Sequence, residues 1–303
     1  MAGQADIFIA DASDRAAGVG TVLSQYDLSV FNGAAVALKA NFNSDDDFPA
    51  SSHIDTVRAI AQSVLERKPK KLTLAERSGM GNTRTVLENR GIFALAKELG
   101  FSVMVLDELE RTGWQEVQAA PLHWQRGFFL AKLFTQSDRV IQTCCLKTHR
   151  YGGHFTMSLK NSVGLVARRV PNLTYDFMGE LHSSPHQREM IAEINRFYST
   201  DLVVMDATEG FSTGGPDKGK LIRPNVIIAG SDRVAIDACG VALLRTCGTS
   251  HDVSEGTIFS QEQIATAARL GVGVSSPQQI HVVPLDGPSK AIAEKIGREL
   301  EKE

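Results

Sequence analysis

Apolar and polar positions along the first hundred residues alternate between two periods, and each change of period marks a new element. "AAVALKAN" (34–41) is a short apolar run ending in polar residues, the pattern of a strand buried on both faces. In "HIDTVRAIAQSVLER" (53–67), Ile54, Val57, Ile60, Ala61 and Val64 recur at helical spacing. "KLTLAE" (71–76) predicts a second strand. "NTRTVLENRGIFALAKELG" (82–100) predicts one helix that tolerates Gly91 and ends at a Gly100 cap. "SVMVLD" (102–107) predicts a third strand. Strands joined by helices pair in parallel through right-handed crossovers.

The second half continues less regularly. "QRGFFLAKLFTQ" (125–136) predicts a helix, and "DRVIQTCC" (138–145), "DLVVMDAT" (201–208) and "NVIIAGS" (225–231) predict strands. Residues 232–247 and 260–271 predict helices, "QIHVVPL" (279–285) an edge strand stopped by Pro284, and the C-terminal segment an exposed helix. Residues 165–183 are the least regular and predict a lid or insertion. The expected fold class is α/β, with a mostly parallel, Rossmann-like sheet covered by helices on both faces. The expectation is one unit over 1–303, divisible at most into lobes 1–135 and 136–303.

Composition narrows the function without naming it. A net charge of −3 lacks the basic face of a nucleic-acid binder. No apolar stretch reaches membrane-spanning length, and "MAGQADIFIADASD" lacks the basic start and apolar core of a signal peptide. The 4 cysteines form no disulfide framework and no C-x-x-C, so thiols in a reducing cytoplasm are expected.

In open α/β sheets ligands bind beyond the carboxyl ends of the strands. Lys39 and Asn41 stand at the first such end, and Glu76 at the next, followed by Arg77, Gly79 and Gly81. Strand 138–145 delivers Lys147 and His149, two apart and so on one side if extended. Gly152 and Gly153 then allow a turn, after which a helix from 154 would put His154, Ser158 and Asn161 on one stripe, with Lys160 off it. Lysines beside a helix start suit a carboxylate or phosphate. "GGPDKGKL" (214–221) lacks the Ser or Thr and the following helix of a P-loop, so Gly214 and Gly215 predict a mobile turn beside the cleft. "NFNSDDDF" (41–48) fails as a calcium loop because Asp46 stands where glycine is needed. In "LHSSPHQ" (181–187), His182 precedes a helix start at Ser184, so its spacing from His186 does not ensure one metal-binding face.

These residues resemble the DUF362 family, a domain of unknown function. The matching pieces are "VALKANF" (36–42), "LTLAE" (72–76), "CLKTHRYGGHFTMSLKNSVG" (145–164), "LVVMDATEGFSTGGPDKG" (202–219) and "IIAGSDRVAIDA" (227–238). The resemblance implies an α/β protein whose polar motifs gather in one region, and marks Lys39, Asn41, Glu76, Lys147, His149, Lys160, Asn161, Asp206 and Asp237. Ala40 departs from the proline common at that place, and the ferredoxin-like cysteine cluster carried by many members is missing here.

The expected function is an enzyme acting on a small anion. His149, His154 and Lys147 are the candidate catalytic groups. Lys39, Asn41, Glu76, Gly79, Gly81, Lys160, Asn161, Gly214 and Gly215 are the candidate ligand contacts, and Asp206, His182 and His186 the candidate holders of a divalent metal. The alternative is a non-catalytic metal, cofactor or metabolite binder serving a ferredoxin-type partner.

Overall fold

The computed structural model describes residues 3–118 and 120–302. The predicted strands form, with others, one ten-stranded sheet. Its strands are β1 (Ala5–Asp11), β2 (Ala35–Lys39), β3 (Lys71–Glu76), β4 (Ser102–Val105), β7 (Arg139–His149), β8 (His154–Phe155), β9 (Leu202–Thr213), β10 (Lys220–Ile222), β11 (Val226–Gly230) and β12 (Ile280–Pro284). A separate hairpin pairs β5 (Trp114–Val117) with β6 (Phe128–Ala131). The order across the sheet is β12-β1-β11-β9-β7-β2-β3-β4. The pairs from β9 to β4 are parallel, as is β1 with β12, while β11 is antiparallel to both neighbours. The sheet is therefore mostly parallel, and the fold is α/β.

Side-chain alternation splits each strand between two covered faces. On one face Val36 and Leu38, Leu72 and Leu74, Val204 and Ile227 pack with Val19 and with Val57 and Ile60 of helix Ile54–Leu65. On the other, Ile7 and Ile9, Val203 and Met205, Val226 and Ile228 pack beneath helix Arg233–Thr246 and the C-terminal helix Gly287–Leu300. Farther along that face, Ala37, Ala75 and Val140 meet the β5–β6 hairpin and the helices Phe177–Ser183 and Gln187–Ile194.

Three local expectations are corrected. Residues 125–136 are not one helix: Phe128–Ala131 is strand β6, and only Lys132–Gln136 is helical. A short apolar run fits either element by periodicity, and the partner strand Trp114–Val117 decides it. Residues 82–100 form two helices, Thr83–Asn89 and Ile92–Leu99, because Gly91 takes a φ of 73°. No helix starts at 154: His154 pairs with His149 in the β7–β8 ladder, and helical turns begin only at Ser158. The N-terminal strand β1 and helix Arg15–Leu23 lie in a stretch whose apolar pattern predicts no element.

Candidate functional site

The carboxyl ends of β2, β3 and β7 open into one cavity of about 430 Å³. Its wall holds Lys39 and Asn41 after β2, Glu76 and Arg77 after β3, and Lys147 and His149 from the end of β7. Lys160 and Asn161 come from the short helix Ser158–Asn161, and Arg168, Met178 and His182 from residues that fold back over the sheet edge.

The floor is a saturated polar cluster. Lys39 Nζ pairs with Glu76 Oε1 at 2.6 Å and donates to Asn161 Oδ1 at 2.9 Å and to the Ala40 carbonyl. Glu76 also accepts the backbone N–H groups of Phe42 and Arg77, each at 2.9 Å. Both partners are buried, so removing either strands the other's charge. Gly164 makes room for them: a Cβ there would lie 2.7 Å from Lys39 Cε and 2.8 Å from Glu76 Oε1. Lys147 Nζ donates to the Pro49 carbonyl at 3.0 Å and to that of Ala50. The buried Arg77 guanidinium donates to the carbonyls of Val166 at 2.7 Å and Val163 at 2.8 Å, tying the returning chain to β3.

Lys160 differs from these cations. Its ammonium has no hydrogen-bond or ion-pair partner among the described residues, and it lines the cavity. Burial, then the Lys147 and Arg77 charges, push its pKa down to about 8. Beside it, His149 Nδ1 accepts the Gly153 backbone N–H at 3.2 Å, which places the ring proton on Nε2 in the neutral form. Desolvation, then the Lys160 charge, lowers the His149 pKa strongly, so the ring is neutral. A Cβ on Gly153 would lie 2.8 Å from His149 Nδ1 and 3.1 Å from Lys160 Cε, so both side chains crowd this glycine. His182, exposed at the mouth, is tied through Nδ1 to the Met178 carbonyl at 2.7 Å. Five cations, Lys39, Arg77, Lys147, Lys160 and Arg168, thus face a single carboxylate, Glu76. Such a lining favours an anion.

Residues 36–242 match the model of a family described as a domain of unknown function, DUF362. The chain belongs to that family. The DUF362 match spans β2 to most of helix Arg233–Thr246, and every cavity residue named above lies inside it. No curated protein matches the chain. Among solved structures, the lactate racemase apoprotein from Thermoanaerobacterium thermosaccharolyticum is similar at 12% identity, with a TM-score of 0.48. The likeness covers 78% of this chain and 57% of that one, and at this level it carries nothing about activity.

Other residues singled out in the DUF362 sequence lie elsewhere. His154, with a φ of 57°, is not in the cavity wall. Gly81 is exposed in the loop before helix Thr83–Asn89, and Gly214 and Gly215 lie behind Pro216, packed on the carbonyl of Thr148 and the backbone of Lys218 and Gly219. The Asp206 carboxylate is consumed on the far face, accepting from Arg15 Nε at 2.9 Å, Thr208 Oγ1 at 2.7 Å and Thr56 Oγ1 at 2.5 Å. His186 bonds Glu189 outside the cavity. The structure therefore does not bring Asp206, His182 and His186 together around one ion. Burial pushes the Cys144 and Cys145 thiols up, which fits their place in a buried strand end. Spacing alone passed over Arg168 and Met178, which reach the cavity only because residues 165–178 fold back. Arg77, next to Glu76 at a strand end, carried a usable signal.

Proposed function

We propose that this chain is an enzyme that binds a small molecule bearing carboxylate or phosphate groups in the strand-end cavity, with Lys160 and His149 handling protons. The observation that carries the reading is the unpartnered Lys160 ammonium in a cavity of five cations and one carboxylate. The other cations already donate to protein acceptors, so Lys160 is the charge left for a ligand. A neutral His149 with its proton on Nε2 is suited to donate a hydrogen bond to an oxygen that gains charge. Lys160, titrating near neutral pH, is suited to give or take the proton.

Thermal unfolding at pH 7 with inorganic phosphate, malate and lactate tests binding. A bound anion raises the transition temperature, and dianions are expected to raise it more. Lys160→Met should abolish most of that rise while leaving the unliganded protein folded. If none of these anions stabilises the wild type, the anion reading fails. For a stabilising carboxylate, exchange of its C–H hydrogens in D2O, followed by NMR, tests catalysis. Binding without exchange or turnover would favour the non-catalytic carrier instead.

A further inference from the structure

Outside the cavity, two imidazoles and a carboxylate meet where the β5–β6 connection passes the start of helix Gln187–Ile194. The His123 and His186 rings stack with centroids 4.4 Å apart and planes 27° apart. Glu189 serves both: Oε2 is 2.6 Å from His186 Nδ1, and Oε1 is 3.9 Å from His123 Nε2. One ligand-capable atom from each of the three lies within 4.8 Å of the others, the one such group among the described residues. Behind them stands Glu193, a buried carboxylate. It accepts the His123 backbone N–H at 3.1 Å and lies 2.6 Å from His123 Nδ1. That contact holds a proton on Nδ1 and leaves the Nε2 lone pair on the side of Glu189. A carboxylate behind an imidazole is the usual support of a metal-bound histidine.

We propose that His123, His186 and Glu189 form a site for a transition-metal ion, with Glu193 orienting His123. Two imidazole nitrogens and one carboxylate oxygen suit zinc, with water in the fourth position, and fit poorly with all-oxygen calcium or magnesium sites. Zinc ligands sit about 2.0–2.2 Å from the ion, so the three side chains must draw closer than they stand. His123 and His186 are exposed, and Glu189 already reaches toward both rings. None of the three residues lines the anion cavity. The ion would fasten the β5–β6 connection to the helix that follows Phe177–Ser183, which carries Met178 and His182 into the cavity wall. Its role is that of a clamp on one wall.

Full-length protein, stripped with EDTA and desalted, is titrated with Zn2+ by calorimetry and with Co2+ by visible absorption. One equivalent should bind, and Co2+ should show the strong d–d bands of a tetrahedral site. His123→Gln, His186→Gln and Glu189→Gln should each weaken binding at least about tenfold, with unchanged circular dichroism. His281→Gln, at an exposed histidine paired with Asp6, should leave binding unchanged. No binding by the wild type, binding that survives the His123→Gln, His186→Gln double substitution, or equal loss in His281→Gln would each overturn the site. Phosphate or malate stabilisation should persist in the double variant, which separates this site from the anion cavity.

Discussion

Lys160 is the residue on which the reading of the cavity turns. The other lysines of the site are more deeply buried and spend their protons on Glu76, Asn161 or loop carbonyls. Burial, then the like charges of Lys147 and Arg77, holds the Lys160 pKa at about 8. An anion reverses that environment, because an opposite charge favours the ammonium form. The bound pKa must then exceed the free one, so binding takes up protons at pH values above about 8. Anion affinity is therefore full below that value and falls as the pH rises through it. Calorimetry at pH 8.5 in buffers of different ionisation enthalpy should reveal the uptake. Lys160→Arg should remove it while keeping some affinity, and Lys160→Met should weaken binding about 10- to 100-fold, the scale of one charged hydrogen bond. A flat affinity profile from pH 7 to 9.5 would mean that Lys160 does not meet the ligand.

The element that presents Lys160 is one helical turn, Ser158–Asn161, too short to hold itself. A buried network holds it. Asp237, inside helix Arg233–Thr246, accepts the backbone N–H groups of Ser158 at 2.7 Å and Leu159 at 3.1 Å. Asn195 donates to the Leu159 carbonyl at 3.0 Å and to Ser162 Oγ at 3.1 Å, and is itself held by Arg233 at 2.9 Å. Ser158 Oγ donates to Gln142 on β7 at 3.0 Å. Asp237→Asn turns one acceptor into a donor facing a backbone N–H and should cost about 1–3 kcal/mol. Burial raises the Asp237 pKa to about 7. A raised folded-state value gives stability that is full below the unfolded value near 4 and lost as the pH climbs through 7. The deficit of Asp237→Asn in urea denaturation should thus be largest in acid and narrow toward pH 7. A deficit that grows toward neutral pH would show that the two N–H bonds keep this carboxylate ionised.

This element also marks the boundary of what the sequence made legible. Lys39, Glu76, Lys147 and His149 could be placed because a strand end fixes where the next residues point. The helix expected from 154 could not be checked by pattern. The choice between strand and helix at His154–Phe155 rests on pairing with Thr148 and His149. Asp237, distant in sequence and on another helix, could be marked by resemblance alone, since its role depends on which backbone groups reach it.

At the scale of the whole molecule, the unread N-terminal strand decides how the halves are joined. β1 lies between β11 and β12, so residues 5–11 complete a sheet whose other local strands come from beyond residue 200. Ile7 and Ile9 pack with Val241 and Ile296 on one face, while Ala10 shares the other face's cluster with Leu38, Leu72 and Ile227. A division into lobes 1–135 and 136–303 would cut both clusters and the β2–β7 pair. Calorimetry should accordingly give a single unfolding transition. Ile9→Ala and Leu38→Ala, both fully buried, should each cost about 2–5 kcal/mol and lower that same transition. Two resolved transitions, each moved by only one of the substitutions, would mean that the continuous sheet does not couple the halves. Because the cavity draws residues from both sides of the β2–β7 boundary, such uncoupling would also predict loss of anion binding at the first transition.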